Sequence, residues 1–128
     1  MQTELSVGID GGVATVFVRD MDRAFRFYTE TLGLKVSFRA GEHFAMIDAG
    51  HGFMIGLHPA GEDAHPGLNG GVQIGLSLER PIQEAVDMLK SRGVNFIGDV
   101  QVDANGGVKL AFFTDPDGNE LYLVDTKH

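Results

Sequence analysis

The side chains able to do chemistry in this chain are few and unevenly spread. No cysteine occurs among the 128 residues. That removes disulfide frameworks, zinc ribbons, iron–sulfur clusters and thiol nucleophiles, and it fits a reducing, cytoplasmic setting. Of the five histidines, His43, His51, His65 and His128 fall in turns, a long loop or the tail, and only His58 ends a strand-like run. No Ser-His-Asp motif is present. The Asn69-Gly70-Gly71 and Asn105-Gly106-Gly107 runs lack the strand-to-helix context of a phosphate loop. What remains is read from strand alternation, which turns every second side chain to the same face. Val13, Thr15, Phe17 and Arg19 share one such face, Gln73, Gly75 and Ser77 a second, and Met54, Gly56, His58, Glu120 and Tyr122 join them from later runs. Aromatic rings, small residues and a few polar tips make a site for a planar, hydrophobic or aromatic small molecule. Phe17 and Tyr122 would stack on it, Gln73 would orient it through its amide, and Gly56 and Gly75 would leave it room. The expected ligand-binding set is Thr15, Phe17, Met54, His58, Gln73, Ser77, Glu120 and Tyr122, with no residue assigned a catalytic role. The alternative is that Phe17, Met54 and Tyr122 fill the cleft themselves.

The elements that must position these residues follow from periodicity. Segments 13–19 and 72–78 alternate or run apolar, as strands do. Each precedes a helical stripe. Met21, Ala24, Phe25, Tyr28 and Leu32 lie on one helix face between an Asp20 N-cap and a Gly33 C-cap, and Ile82, Ala85, Val86 and Leu89 lie on another between Pro81 and Gly93. Three strand-like segments follow each helix, at 34–40, 43–49 and 52–58 and again at 94–102, 107–114 and 119–125. Eighteen glycines, about twice the usual share, supply the turns between them. A shift of 60 places Val16 on Leu76, Val18 on Leu78 and Gly33 on Gly93, so one βαβββ unit is written twice. The expected fold is therefore α+β: a single domain over residues 1–128, with module one at about 13–58, a linker at 59–71 and module two at about 72–125. The two modules would form an eight-stranded, U-shaped mixed sheet around a cleft.

Charge narrows the partners. Ten basic against eighteen acidic side chains give a formal charge of −8, a field that opposes nucleic acid and anionic membrane surfaces. The apolar runs are too short for a membrane span, and the first residues carry no basic and apolar leader. A soluble, unexported chain is expected.

The runs FVRDMDRAFRFYTETLGLKV and FFTDPDGNELYLVD resemble the vicinal oxygen chelate superfamily, which includes glyoxalase I, extradiol dioxygenases and bleomycin-binding proteins. The resemblance covers residues 13–125. It implies paired βαβββ modules, a ligand cavity and a homodimer. In metal-dependent members it also implies His, Gln or Glu ligands on the first and last strands of each module, which here correspond to Val13, Gly56, Gln73 and Tyr122. Only Gln73 offers a donor of the usual kind, because Val13 and Gly56 have none and a tyrosine must first lose a proton of pKa about 10. His58 and Glu120 are displaced donors two residues away. His58, before Pro59, reads instead as a rim residue, and Glu120, beside a turn, as solvent-facing. The expectation is a metal-independent binder of the bleomycin-resistance kind, with no cofactor and a small-molecule ligand. The alternative is a metal-dependent glyoxalase-like lyase or dioxygenase.

Overall fold

The computed structural model describes residues 12–61, 73–102 and 107–127. Residues 62–71 of the expected linker, with His65 and the Asn69-Gly70-Gly71 run, lie outside them, as do residues 1–11, Val72, residues 103–106 and His128. β1 (Gly12–Val18) leads into α1 (Met21–Arg26) and a π-helical turn (Phe27–Thr31), and the chain returns through β2 (Lys35–Ala40), β3 (Phe44–Asp48) and β4 (Phe53–Pro59). β5 (Gln73–Ser77), α2 (Ile82–Ser91), β6 (Phe96–Val102), β7 (Lys109–Thr114) and β8 (Glu120–Asp125) repeat that order. The eight strands form two mixed sheets of four, ordered β1-β4-β3-β2 and β5-β8-β7-β6, with β1 and β5 each parallel to the last strand of its module. The expected pair of βαβββ modules is present.

The core lies on one face of each sheet. Val16, Val18, Ala45, Ile47, Ile55 and Leu57 are buried with Met21, Ala24 and Tyr28 in module one, and Ile74, Ala111, Phe113, Leu121 and Leu123 with Ile82, Ala85, Val86 and Leu89 in module two. Burying each large aliphatic side chain contributes about 1.5–3 kcal/mol. That is why the apolar parity of every strand turns inward beneath its helix and the mixed parity is left to face away.

Local signals act where the sequence places them. Asp20 caps α1 by accepting from the Arg23 N–H at 3.0 Å, and Gly33 and Gly93 take φ of 76° and 89° past the helices, a conformation that suits glycine. Two details differ. Pro81 stands one residue ahead of α2, whose first N–H, at Ile82, donates to Oδ2 of the buried Asp125 at 3.0 Å. The first helix is not one uninterrupted α-helix either. After Arg26 the bonds lengthen to the i−5 pattern, with the Leu32 N–H donating to the Phe27 carbonyl at 2.9 Å. Such a π-turn breaks the stripe that simple 3.6-residue spacing implies, and within it Tyr28 is wholly buried.

Candidate functional site

All eight expected binding residues lie on the strand faces opposite the helices. Across β1 and β4, Val13 stands beside Met54, Thr15 beside Gly56 and Phe17 beside His58. Across β5 and β8, Gln73 stands beside Glu120, Gly75 beside Tyr122 and Ser77 beside Val124. The face in module one is an aromatic run: Phe17 meets His58 edge-on at 5.5 Å between ring centroids, His58 meets Phe44 at 6.5 Å, and Phe44 meets Phe38 at 5.9 Å. His58 Nδ1 lies 2.8 Å from the Pro59 carbonyl. A protonated Nδ1 would donate there, holding the ring at the rim as its place before Pro59 suggests.

Module two presents a second aromatic pair, Tyr122 against Phe112 at 5.3 Å and an interplanar angle of 36°. Phe38, Phe44 and Phe112 were not among the expected residues, yet the register marks them. Phe38 pairs with Met46, which pairs with Gly56, and Phe112 pairs with Tyr122, so each shares its neighbour's face. Phe17 and Tyr122 have their described ring contacts inside their own modules. The faces are open: Val13, Phe17 and Phe38 remain 50%, 42% and 50% exposed.

The two glycines do not leave the room expected of them. A methyl at Gly75 would sit 2.5 Å from Tyr122 Cζ, and one at Gly56 3.0 Å from Phe44 Cζ. The hollow each glycine makes is taken by an aromatic ring from the adjacent strand, Tyr122 in module two and Phe44 in module one. Of the three side chains in the filled-cleft alternative, Tyr122 occupies such a hollow, and the hollow at Gly56 is taken by Phe44.

Metal ligation needs several N or O donors converging within about 2.0–2.3 Å. Val13 and Gly56 bring no donor, and the Tyr122 hydroxyl lies over Gly75. Gln73 has Glu120 directly across the strand pair. Among the described residues no group of three or more His, Cys, Asp and Glu side chains is placed to hold a metal ion. Of these positions only Gln73, with Glu120 across from it, brings donors of the usual kind.

Two recesses lie elsewhere. One of about 270 Å³ opens between α2 and β6 beside Lys90, Phe96 and Asp99. Another of about 350 Å³ opens at the seam between the modules, beside Phe27, Asn95 and Pro116.

That seam is built by the turn Asp115-Pro116-Asp117-Gly118-Asn119. Asp115 is buried and accepts four hydrogen bonds, from the Asp117 and Asn119 N–H groups at 2.9 and 2.8 Å, from Asn119 Nδ2 at 3.0 Å and from the Tyr28 hydroxyl at 2.9 Å. Burial pushes its carboxyl above the usual range, against the pull of those donors. Burial, and then the Asp115 charge, holds the Tyr28 phenol well above its ordinary value. Asp117, also buried, accepts through Oδ1 from Arg23 Nη2 at 3.1 Å and from the Arg19 N–H at 3.0 Å. Arg92 Nη1 donates across the same seam to the Thr31 carbonyl of the π-turn at 2.8 Å. The Asp-Pro-Asp-Gly run signalled a turn, and nothing in its spacing announced that both carboxylates would be buried against the other module.

Residues 12–123 match the Glyoxalase/Bleomycin resistance protein/Dioxygenase superfamily. A probable lactoylglutathione lyase of Synechocystis sp. is 29% identical over 119 residues, spanning 85% of this chain and 89% of that protein. Among solved structures, a superfamily member from Sphaerobacter thermophilus is 28% identical with a TM-score of 0.75, covering 91% of this chain and 97% of its own. TnmS3, an antibiotic binding protein from Streptomyces sp. CB03234, shares the fold at a TM-score of 0.76 and 23% identity, covering 95% and 99%. With the repeated modules, the register of their faces and a match over nearly all of the described residues, the chain belongs to the Glyoxalase/Bleomycin resistance protein/Dioxygenase superfamily.

Proposed function

We propose that the protein is a metal-independent small-molecule binder of the bleomycin-resistance kind, whose ligand is planar and hydrophobic or aromatic. The observation that carries this reading is the chemistry of the two strand faces. At three of the four positions where metal-dependent members place ligands, this chain has Val13, Gly56 and Tyr122, and around those positions it has rings: Phe17, His58, Phe44 and Phe38 in one module, Tyr122 and Phe112 in the other. Rings exposed on a strand face can stack on a planar guest, each contributing about 0.5–1.5 kcal/mol beyond its buried area. Gln73, with both donor and acceptor atoms, orients that guest. The likeness to an antibiotic binding protein supports the same reading.

Open faces also give the reading its assembly. A homodimer, in which a second copy covers Val13, Phe17 and Phe38, encloses a ligand that one chain alone would leave half in solvent. The absence of cysteine suits a cytoplasmic protein, and among the described residues no helix is long and apolar enough to cross a membrane.

The test is a thermal-shift screen of planar aromatic and antibiotic-like compounds, repeated with Phe17→Ala and Gln73→Leu. Each change is expected to weaken a hit by about 1 kcal/mol or more, some sixfold in Kd. A hit indifferent to both places recognition elsewhere. The second reading, a metal-dependent glyoxalase-like lyase or dioxygenase, is favoured by the name of the Synechocystis relative and by the facing of Gln73 and Glu120. One tightly held Zn²⁺, Ni²⁺, Mn²⁺ or Fe²⁺ per purified chain, lost on changing Gln73 with His58 or Glu120, would establish it in place of the first.

A further inference from the structure

The turn at 115–119 touches two backbone groups at the end of β1, the Phe17 carbonyl within the strand and the Arg19 N–H just after it. Among the described residues β1 is the edge strand of its sheet. Along a strand the N–H and C=O of one residue point to one side and those of the next to the other. The Val18 carbonyl accepts from the Ala60 N–H at 2.8 Å, on the β4 side. Phe17 therefore presents its backbone groups to the other side of β1, where another strand would pair, and Arg19 follows directly after the strand's end. Module two supplies side chains instead: Asn119 Nδ2 donates to the Phe17 carbonyl at 3.2 Å, and Asp117 Oδ1 accepts from the Arg19 N–H at 3.0 Å. One donor and one acceptor, two residues apart on the turn, meet one acceptor on β1 and one donor one residue past its end.

We propose that this turn is a clasp that occupies the free edge of β1 and fixes the aromatic face of module one relative to that of module two, with Asp117 and Asn119 as positioning residues. The backbone it grips belongs to Phe17, so the ring expected to stack on a ligand is held by the module that carries Tyr122. The grip is reinforced on both sides. Arg23 Nη2 reaches the same Asp117 oxygen, and Asn119 Nδ2 also donates to Asp115, which holds Tyr28. It is also one-sided. A shift of 66 places Gly52 on Gly118, and the corresponding turn, Ala49-Gly50-His51-Gly52, has no carboxylate or amide side chain with which to clasp β5. The consequence for ligand binding rests on the function proposed above; the clasp itself does not.

A chain without cysteine permits a clean distance measurement. Ser37→Cys and Gln101→Cys, exposed strand positions in different modules, carry a pair of nitroxide labels in the full chain, read by pulsed dipolar spectroscopy with no ligand added. The parent is expected to give one narrow distance distribution. Asp117→Leu and Asn119→Leu are expected to broaden or shift it, and Asp117→Asn, which keeps an Oδ1 acceptor for the Arg19 N–H, to restore it. A narrow, unmoved distribution in both leucine variants overturns the proposal, even if their melting temperatures fall, because a merely structural turn would lower stability without freeing the modules. If those variants fail to fold, Asn119→Asp keeps the side-chain size and replaces the donor with an acceptor, and the same two outcomes decide. Since no ligand enters the measurement, a barren compound screen leaves the clasp standing, and unmoved distances leave the binding reading standing.

Discussion

Gly75→Ala puts the arrangement of the module-two face to a direct test. The added methyl would lie 2.5 Å from Tyr122 Cζ, 2.6 Å from its hydroxyl oxygen and 2.8 Å from Cε2, where carbon contacts settle at about 3.5–4.0 Å. The ring must therefore withdraw by about 1 Å or more. Its far end is free to swing, so the penalty is bounded: the stacking on Phe112, about 0.5–1.5 kcal/mol, or a strained side-chain torsion of similar size. Against that, alanine gains about 0.5–1 kcal/mol over glycine within a strand. The net change in stability is small, about 1 kcal/mol at most, so a melting curve alone decides little and the ring itself must be watched. The chain has two tyrosines and no tryptophan. In a Tyr28→Phe background Tyr122 is the sole tyrosine, and its fluorescence and ring resonances report its surroundings. Gly75→Ala is expected to change both and to alter the affinity of any ligand that stacks there. Gly56→Ala is the milder control, since Phe44 Cζ stands at 3.0 Å and Thr15 Oγ1 at 3.4 Å, and both can give by a few tenths of an ångström. Unchanged Tyr122 signals together with a rise in stability would show that the ring does not lie over Gly75.

Tyr28→Phe by itself removes one of four donors to a buried carboxylate and is expected to lower stability near pH 7 by about 1.5–3 kcal/mol, as for hydrogen bonds to charged groups, read by urea unfolding. Because the folded Tyr28 pKa is raised, its contribution is full below the unfolded value near 10 and is lost as pH rises through the folded one, so the gap between parent and variant should narrow above about pH 10; a gap constant into that range would contradict it. Asp125→Ala removes the cap on the first N–H of α2 and should cost about 0.5–2 kcal/mol, visible as a lower urea midpoint at unchanged slope. Light scattering at micromolar concentration is expected to give twice 13.8 kDa, and a species of 13.8 kDa alone refutes the dimer.

Strand alternation and glycine placement are local properties, and what they govern was legible. The parity that buries Val16, Val18, Leu121 and Leu123 is the parity of the apolar residues in the sequence, so the opposite face, from Thr15 to Tyr122, follows from residue order alone. Occupancy of the hollows at Gly56 and Gly75 was not legible. It depends on which ring of the neighbouring strand turns toward the gap, a choice of register and rotamer that glycine itself does not encode. The π-turn was hidden for a related reason: Met21, Ala24, Phe25, Tyr28 and Leu32 satisfy a helical spacing on paper, and nothing in that spacing shows that Tyr28 is wanted by a carboxylate 87 residues later.

The two modules repeat the same element order and differ in what their final turns do. In module one, Asp48 serves its own turn by accepting from the Gly50 N–H at 2.8 Å. In module two, Asp115 does the same for Asp117 and Asn119 but is buried in the process, and its neighbours then turn polar atoms of their own toward the other module. A buried carboxylate left without partners is costly; Tyr28, Arg19 and Arg23 meet Asp115 and Oδ1 of Asp117 and are thereby tied to module two, while Asp117 Oδ2 is buried without a hydrogen-bond partner. The asymmetry follows from this. One end of the duplicated fold is tied to the other module by buried carboxylates, while the corresponding turn at Ala49–Gly52 carries no carboxylate or amide side chain.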